Sequence, residues 1–186
     1  LCDIGSCREI YCTVQHCGLA LGGIVHSAGV LADGLLANQT QAGMQRVWAP
    51  KAQAAQSLHQ ACSEHGPGIF AVFSSIAALL GGTGQANYAA ANAHLDGLSQ
   101  LRRKSGLVST SLQWGAWAGA GMAVESGVLE QLERQGVGAL SAGLGLCGLE
   151  LALGSGSMVV GIVPLRWPLL LSQLGEDVSV FWTHFV

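Results

Sequence analysis

The sequence predicts an α/β protein built on a doubly wound parallel sheet, and three observations support this fold class. Short apolar runs alternate along the chain with longer segments of helical periodicity. The predicted strands are almost continuously apolar, as expected where helices cover both faces of a sheet. Small residues follow the first strand, where such folds bring backbone close to a ligand.

The elements follow this alternation in order. A short strand at Ile24 and Val25 runs into the small residues, and a single long helix over 38–64 contains Pro50 as a local irregularity. The later elements are a strand over 69–75, an Ala-rich helix over 85–104, a strand over 107–114, a flexible Gly/Ala segment over 115–127, helices over 129–134 and 140–153, and a last strand over 158–163.

Composition excludes several classes of partner. The 186 residues are 50% hydrophobic and 10% charged, which suits one compact domain. A net charge of −3, without a Lys/Arg stripe, gives no footprint for nucleic acid or an anionic membrane. No apolar run is long enough to predict a membrane span, and the first residues do not resemble a secretory signal.

Four of the six cysteines recur every five residues, at Cys2, Cys7, Cys12 and Cys17. That spacing spreads the thiols around a helix, so they would not converge on one metal ion. We expect reduced thiols, no metal site, and a cytoplasmic location.

Polar side chains cluster where the strand over 69–75 meets the next helix. Tyr88 and Asn92 are four residues apart, so a helix places them on one face. Ser75 ends the strand, at the carboxyl edge where open α/β sheets form their ligand crevice. A serine and a tyrosine so placed can meet the oxygen of one carbonyl group.

The order Lys51, Ser75, Tyr88, Asn92 resembles the ketoreductase domains of modular polyketide synthases, a Rossmann-like branch of the short-chain dehydrogenase/reductase superfamily that fatty acid synthases share. Most members of the superfamily carry lysine four residues after the tyrosine. In the synthase branch lysine and asparagine exchange places, as they do here. The resemblance also covers residues 26–31, 85–88, 112–117 and 164–167, and is poor over 7–19.

The resemblance implies NADPH-dependent reduction of a β-ketoacyl thioester held on an acyl carrier protein, beside other synthase domains in the same polypeptide. Tyr88 would donate the proton, Ser75 would bind the carbonyl, and Asn92 would hold a relaying water. Lys51 would lower the pKa of the Tyr88 phenol. That pKa is ordinarily about 10, so an unperturbed phenol is a weak acid.

Binding residues are implied in the same way. The cofactor would lie against Asp3, Ile4, Ser27, Ala28, Gly29, Lys51, Tyr88, Gly115 and Ala116. Substrate access and stereochemistry would depend on Leu31, Asp33, Gln85 and Trp117.

Asp33 is informative about stereochemistry. A Leu-Asp-Asp motif accompanies the D-configured 3-hydroxyacyl product in the family, and here Ala32 replaces its first Asp while Asp33 remains. The opposite class carries a Trp where this chain has Leu80. We expect the D product.

Each of these residues also has a structural interpretation when it is taken singly. Tyr88 would pack, Ser75 would form a turn, Lys51 would be solvated, Asp33 would cap the following helix, and His26 would be a packed, hydrogen-bonded histidine. Their joint order favours the catalytic interpretation.

The family's opening segment has no counterpart here, since neither its Gly-rich phosphate loop nor its second-strand arginine occurs. Residues 2–4 resemble the end of its third strand. We therefore expect a chain that lacks the first two βα units, with an exposed edge at Ile24 and Val25 and weak NADPH binding in isolation. Residues 1–164 would form the core and 165–186 a C-terminal extension.

Two other functions stay open. A ketoreductase-like structural fragment without catalysis would explain the missing loop, but gives no reason to keep Lys51, Ser75, Tyr88 and Asn92 together. A stand-alone dehydrogenase acting on a free substrate is disfavoured by the Lys/Asn exchange.

Overall fold

The computed structural model describes residues 4–18, 20–62, 66–119, 127 and 129–172, and these form a parallel sheet with flanking helices. The strands are β1 (Gly23–His26), β2 (Ile69–Ser75), β3 (Thr110–Trp114) and β4 (Val159–Ile162). The helices are α1 (Ile4–His16), α2 (Gln41–Trp48), α3 (Ala54–Ala61), α4 (Ala77–Leu80), α5 (Ala86–Lys104), α6 (Leu129–Arg134), α7 (Ala142–Gly154) and α8 (Trp167–Ser172).

The strands lie in the order β1-β2-β3-β4, all parallel. Val25 pairs with Ala71, and Ser75 pairs with Trp114 at the carboxyl ends of β2 and β3. Because every strand runs the same way, all their carboxyl ends open onto one edge of the sheet. The predicted fold class is confirmed.

Helices cover both faces of the sheet. On one face Phe70 and Val72 pack against Leu95 of α5, with α3 beside them. On the other face Leu112 and Ala152 belong to a second core in which α7 covers β3 and β4. The alternation of inward side chains along β2 supplies both cores.

The edge strand β1 departs from full burial, as expected for an edge. Val25 is 59% exposed, and Ile69 at the start of β2, which pairs with Gly23, is 41% exposed. Both lie on the face that α7 covers, beyond the reach of that helix. The predicted exposed edge is confirmed, whereas the prediction of a buried first strand holds only for His26.

The predicted long helix over 38–64 is broken. A 3₁₀ turn (Leu36–Asn38) precedes α2, and a π-helical turn (Ala49–Gln53) separates α2 from α3. Pro50 has no N–H to give to the preceding turn, and the chain accommodates it by widening. The helix ends near Cys62, and 63–64 lie outside the described residues.

At the N-terminus, Ile4 begins α1, so its placement at the end of a strand is wrong. Asp3 and Cys2 lie outside the described residues. Cys7 is buried while Cys12 and Cys17 are exposed, so these thiols point in different directions. Sequence analysis also missed α4, which is only one turn long.

Beyond β3 the chain folds back over the strand ends. Trp117 and Leu140 form a parallel bridge, and Val137 and Leu165 form an antiparallel one. Most of the predicted flexible segment over 115–127 lies outside the described residues, as do 173–186 of the predicted extension. Within the described ranges, no helix has the length and apolarity needed to cross a bilayer.

Candidate active site

A crevice of about 950 Å³ opens beyond the carboxyl ends of β1, β2 and β3. It brings together most of the residues predicted from the sequence. Those that line it are Ser27, Gly29, Leu31, Asp33, Lys51, Ser75, Gln85, Tyr88, Gly115, Ala116 and Trp117.

Three predicted residues are placed elsewhere. Ile4 starts α1 and is not part of the lining, and Ala28 is exposed on the loop after β1 without lining the crevice. Asn92 is fully buried one helical turn beyond Tyr88, behind the crevice wall. Ile4 and Ala28 therefore have no contact with the crevice that supports a cofactor role.

Tyr88 lies in the first turns of α5 and is buried against Val47 and Ala77. Burial raises the pKa of its phenol, and the charge of Asp33 adds to this, while hydrogen bonding to Ser75 and Asn92 lowers the pKa in part. The net shift is upward because burial dominates, and the lowering of this pKa by Lys51 stays a prediction.

Lys51 projects from the π-helical turn into the protein, where it is only 3% exposed. Its Nζ donates to the Phe73 carbonyl at 2.8 Å and lies 5.4 Å from the centre of the Tyr88 ring. Burial lowers the pKa of Lys51 to about 8, although the charge of Asp96 opposes the shift. The ammonium therefore faces the ring of Tyr88, an arrangement that favours a cation.

Gly29 makes room for this lysine. A Cβ at position 29 would lie 2.8 Å from Lys51 Cε and 3.4 Å from Nζ. Any larger residue would displace the side chain from its path to β2. The small residues after β1 are thus explained by the passage of Lys51 as well as by access to a ligand.

Asn92 joins α5 to its own preceding turn and to the sheet. Its Nδ2 donates to the Tyr88 carbonyl at 2.8 Å, and its own carbonyl accepts from Ser74 Oγ at 3.2 Å. Its Oδ1 is buried without a partner within the described part of the chain. A buried acceptor of this kind is normally satisfied by water.

Asp96 was missed by sequence analysis, although it lies one further turn along α5 from Asn92. Its Oδ1 accepts from Ser111 Oγ at 2.6 Å and its Oδ2 accepts from Gln113 Nε2 at 2.8 Å. These bonds tie α5 to β3. The four-residue spacing was the available signal, but a lone aspartate on a helix usually indicates a solvated face.

The loop after β1 is joined to the start of α5 by several hydrogen bonds. Asn87, also missed, donates to the Ala32 carbonyl at 2.7 Å and accepts from the Tyr88 N–H at 2.7 Å. Gln85 Nε2 donates to Asp33 Oδ2 at 3.0 Å. Asp33 makes no capping bond to the 3₁₀ turn that follows, so the capping interpretation is wrong.

Aromatic rings form the opposite wall of the crevice. Trp114 lies 5.2 Å from Phe73 and 4.9 Å from Trp117 between ring centres. Gly115 follows at the end of β3, where a Cβ would come within 2.7 Å of Val163 Cγ2. The glycine is thus required by packing, and its predicted role in cofactor binding stays a prediction.

The KR domain family matches residues 1–119 of this chain. The polyketide synthase GfsB of Streptomyces halstedii is 47% identical over 163 residues, which cover 86% of this chain and 3% of that protein. The erythronolide synthase EryA2 of Saccharopolyspora erythraea is 42% identical over 159 residues, covering 86% of this chain and 4% of that protein.

Solved structures agree. An A-type ketoreductase from a modular polyketide synthase superposes with a TM-score of 0.84 at 33% identity, covering 91% of this chain and 37% of that one. A C2-type ketoreductase gives a TM-score of 0.84 at 30% identity, with 94% and 37% covered. The chain thus spans a small part of the synthases it matches, and about a third of each ketoreductase structure.

Proposed function

The chain belongs to the KR domain family of modular polyketide synthases, and we propose that its complete domain reduces a β-ketoacyl thioester, held on an acyl carrier protein, with NADPH. The observation that carries the proposal is the meeting of Ser75, Tyr88 and Lys51 at one crevice, with Asn92 directly behind them. Other synthase domains of the same polypeptide would supply the substrate.

In this proposal a bound nicotinamide supplies the hydride. Ser75 binds the ketone oxygen, and Tyr88 gives that oxygen its proton as negative charge develops. The Lys51 ammonium, 5.4 Å from the ring, stabilises the phenolate that Tyr88 becomes. Asn92, whose Oδ1 has no protein partner among the described residues, holds the water through which Tyr88 regains a proton.

The crevice fits the nicotinamide half of a dinucleotide. Its volume of about 950 Å³ lies within the usual range for ligand pockets, roughly 300–1,000 Å³. Ser27, Gly29, Gly115 and Ala116 line it and would hold that half. The preference for NADPH comes from the family resemblance alone.

No Gly-rich phosphate loop occurs in these 186 residues. We therefore predict that the isolated chain binds NADPH weakly, because the pyrophosphate lacks its usual backbone donors. A calorimetric titration tests this, and binding in the micromolar range would contradict it. The cytoplasmic location also stays a prediction.

A structural fragment without catalysis is the second candidate function. Against it, Lys51 is buried with a pKa of about 8 and has no carboxylate in direct contact among the described residues. Such a group destabilises a fold, so a scaffold gains nothing from keeping it. A stand-alone dehydrogenase is disfavoured by the synthase relatives.

The deciding experiment substitutes Tyr88 with Phe in the full-length parent protein. Removing the hydroxyl should lower kcat by at least about 10²-fold, the usual contribution of a positioned proton donor. NADPH consumption with a β-ketoacyl thioester measures the rate. Tyr11→Phe on α1 is the control, and a Tyr88→Phe variant with near-normal turnover would overturn the assignment.

We further propose that the product is the D-configured 3-hydroxyacyl thioester. Asp33 is held by Gln85 at the crevice, where it can restrict the side from which the carrier arm approaches. The solved neighbours include A-type and C2-type enzymes of equal overall likeness, so the fold does not discriminate between types. Chiral chromatography decides, and a predominance of the L alcohol would refute the role of Asp33.

A further inference from the structure

The π-helical turn between α2 and α3 determines where Lys51 lies, yet few bonds within the helix hold it. Pro50 contributes no N–H, and the Ala54 N–H is shared between the carbonyls of Ala49 and Lys51. Turns of this kind are rare, single and less well bonded than an α-helix. Contacts from outside the helix are needed to fix the shape of this one.

His26 provides such a contact from the end of β1. It is buried, and its Nε2 lies 3.0 Å from the Lys51 carbonyl oxygen. A carbonyl can only accept, so Nε2 carries the proton and donates. Burial lowers the pKa of His26, and the nearby Lys51 charge adds to the effect, although the carbonyls of Lys51 and Pro50 oppose it. The ring is therefore a neutral donor at physiological pH.

The two anchors of Lys51 lie on neighbouring strands. Its backbone is held by His26 of β1, and its side chain is held by the Phe73 carbonyl of β2. His26 pairs with Val72, the residue before Phe73, so the anchors differ by one register position. Gly29 leaves space for the chain between them. Together these contacts leave Lys51 little freedom to move relative to Tyr88.

We propose that His26 is a positioning residue, which donates to the π-helical turn and thereby holds the Lys51 ammonium against Tyr88. The proposal rests on the proposed reduction for its effect on rate. The claim about the position of Lys51 does not depend on that reduction, and a measurement that needs no activity tests it separately.

The first test compares His26→Leu, which removes the donor, with His26→Gln, whose amide nitrogen reaches a similar distance. In the full-length protein, His26→Leu should lower kcat by about 10-fold or more with KM changed by less than about 2-fold, as expected when a catalytic group is misplaced. His26→Gln should keep kcat within about 3-fold of the wild-type value. Equal losses of kcat in both variants, or no loss in His26→Leu, would overturn the proposal.

A double-mutant cycle separates positioning from general damage. If His26 acts through Lys51, His26→Leu should change kcat by less than about 2-fold in a Lys51→Met background. The same 10-fold loss in that background would mean that His26 acts elsewhere, and the proposal would fail.

Reductive methylation of Lys51 tests the position of this side chain without any measurement of turnover. The wild-type lysine is nearly inaccessible and should react slowly, at least about 10-fold more slowly than in His26→Leu, while His26→Gln stays protected. Equal rates in all three proteins would overturn the proposal. A wild-type protein that consumes no NADPH, yet shows this difference, would refute the proposed function and support the role of His26.

Should His26→Leu fail to fold, nitrogen NMR of the wild-type ring still decides. A neutral ring protonated on Nε2 supports the proposal, and a ring protonated only on Nδ1 refutes it.

Discussion

Helices α5 and α7 pack against the same sheet but treat polar and apolar side chains in opposite ways. Helix α5 buries five polar or charged residues besides Tyr88: Asn87, Asn92, Asp96, Ser99 and Arg102. Helix α7 is almost wholly apolar, yet Leu144, Leu146 and Leu151 are 52%, 63% and 69% exposed. From hydrophobicity alone, α7 would have been predicted to be the more buried helix and α5 the more exposed one.

The difference follows from what each helix contacts. The buried polar groups of α5 meet polar partners on neighbouring elements, as when Ser99 shares a hydrogen bond of 2.9 Å with Ser109. A buried polar group costs little stability when its hydrogen-bond partners are present. Removing one partner leaves the other group unsatisfied, and the protein then loses the full desolvation cost of that group. Helix α7 touches the sheet with a narrow face around Gly145 and Ala152. Leu149 and Leu153 pack against the core beside it, whereas the exposed Leu144, Leu146 and Leu151 contribute little.

Arg102 should give the largest effect. It is fully buried, donates to His59 at 2.8 Å and to the Val108 carbonyl, and its guanidinium lies 3.7 Å above the Phe70 ring. Arg102→Ala should lower the free energy of unfolding by roughly 3 kcal/mol, since it leaves a cavity and orphaned acceptors.

Its neighbour Arg103 is the matched control for this change. Arg103 is exposed and, among the described residues, its side chain donates one hydrogen bond, to the Gly156 carbonyl, so Arg103→Ala should cost less than about 1 kcal/mol. Urea denaturation measures both variants. Similar losses of unfolding free energy in the two variants would contradict the expectation that the buried side chains of α5 contribute more to stability than its exposed ones.

Asp96 should come next. Asp96→Asn keeps the shape of the side chain but replaces one carboxylate oxygen with an NH₂ group, which would face the donor of either Ser111 or Gln113. The free energy of unfolding should fall by about 2 kcal/mol. Glu150→Gln on the exposed side of α7 removes a carboxylate that has no such partners in the described part of the chain, and its stability should be within about 0.5 kcal/mol of wild type. An Asp96→Asn variant as stable as Glu150→Gln would remove the proposed tie between α5 and β3.

The buried lysine predicts opposite trends for rate and stability with pH. Above its pKa of about 8, kcat should fall as the ammonium is lost, by up to about tenfold per pH unit. The unfolded chain holds that proton up to its ordinary pKa of 10.5, so the free energy of unfolding should rise between these values. A pH series on the wild type and Lys51→Met measures both, and identical trends in the two proteins would contradict the assignment.

The smallest effect is expected on α7. Leu146→Gln removes an exposed leucine from a helix whose packing lies elsewhere, so the free energy of unfolding should change by less than about 0.5 kcal/mol. Thermal and urea denaturation would detect a larger change. A loss above about 1.5 kcal/mol would show that this face of α7 is covered in the intact protein.

Most of the fold could be predicted from the sequence, because strand and helix periods are local. The bounds of α6 agree with the predicted 129–134, and β2 ends at Ser75 as expected. The prediction of one continuous helix over 38–64 was wrong because a proline allows two outcomes, a kink or a widened turn, and tertiary contacts select between them. The helix α1 was missed because its sequence matches the family poorly.

The site was predicted in part. Tyr88 and Asn92 share a helix face by spacing, and Ser75 ends a strand, so their meeting required only the topology of the sheet. The packed, hydrogen-bonded state of His26 is confirmed, but its partner and the position of Asp96 were not predicted, since each is defined by a partner far along the chain. Nothing in a single sequence indicates which helix an isolated aspartate or histidine will face.

The sequence by itself determined the four strands and their alternation with helices, the family, and most of the residues at the crevice, because these depend on short-range periodicity and characteristic spacing. Tertiary structure alone decided that Asp33 bonds Gln85, that burial raises the pKa of Tyr88, and that His26 holds the turn of Lys51. The physical reason is that burial and hydrogen-bond geometry are set by packing between distant segments, and that packing also determines how each titratable group is solvated.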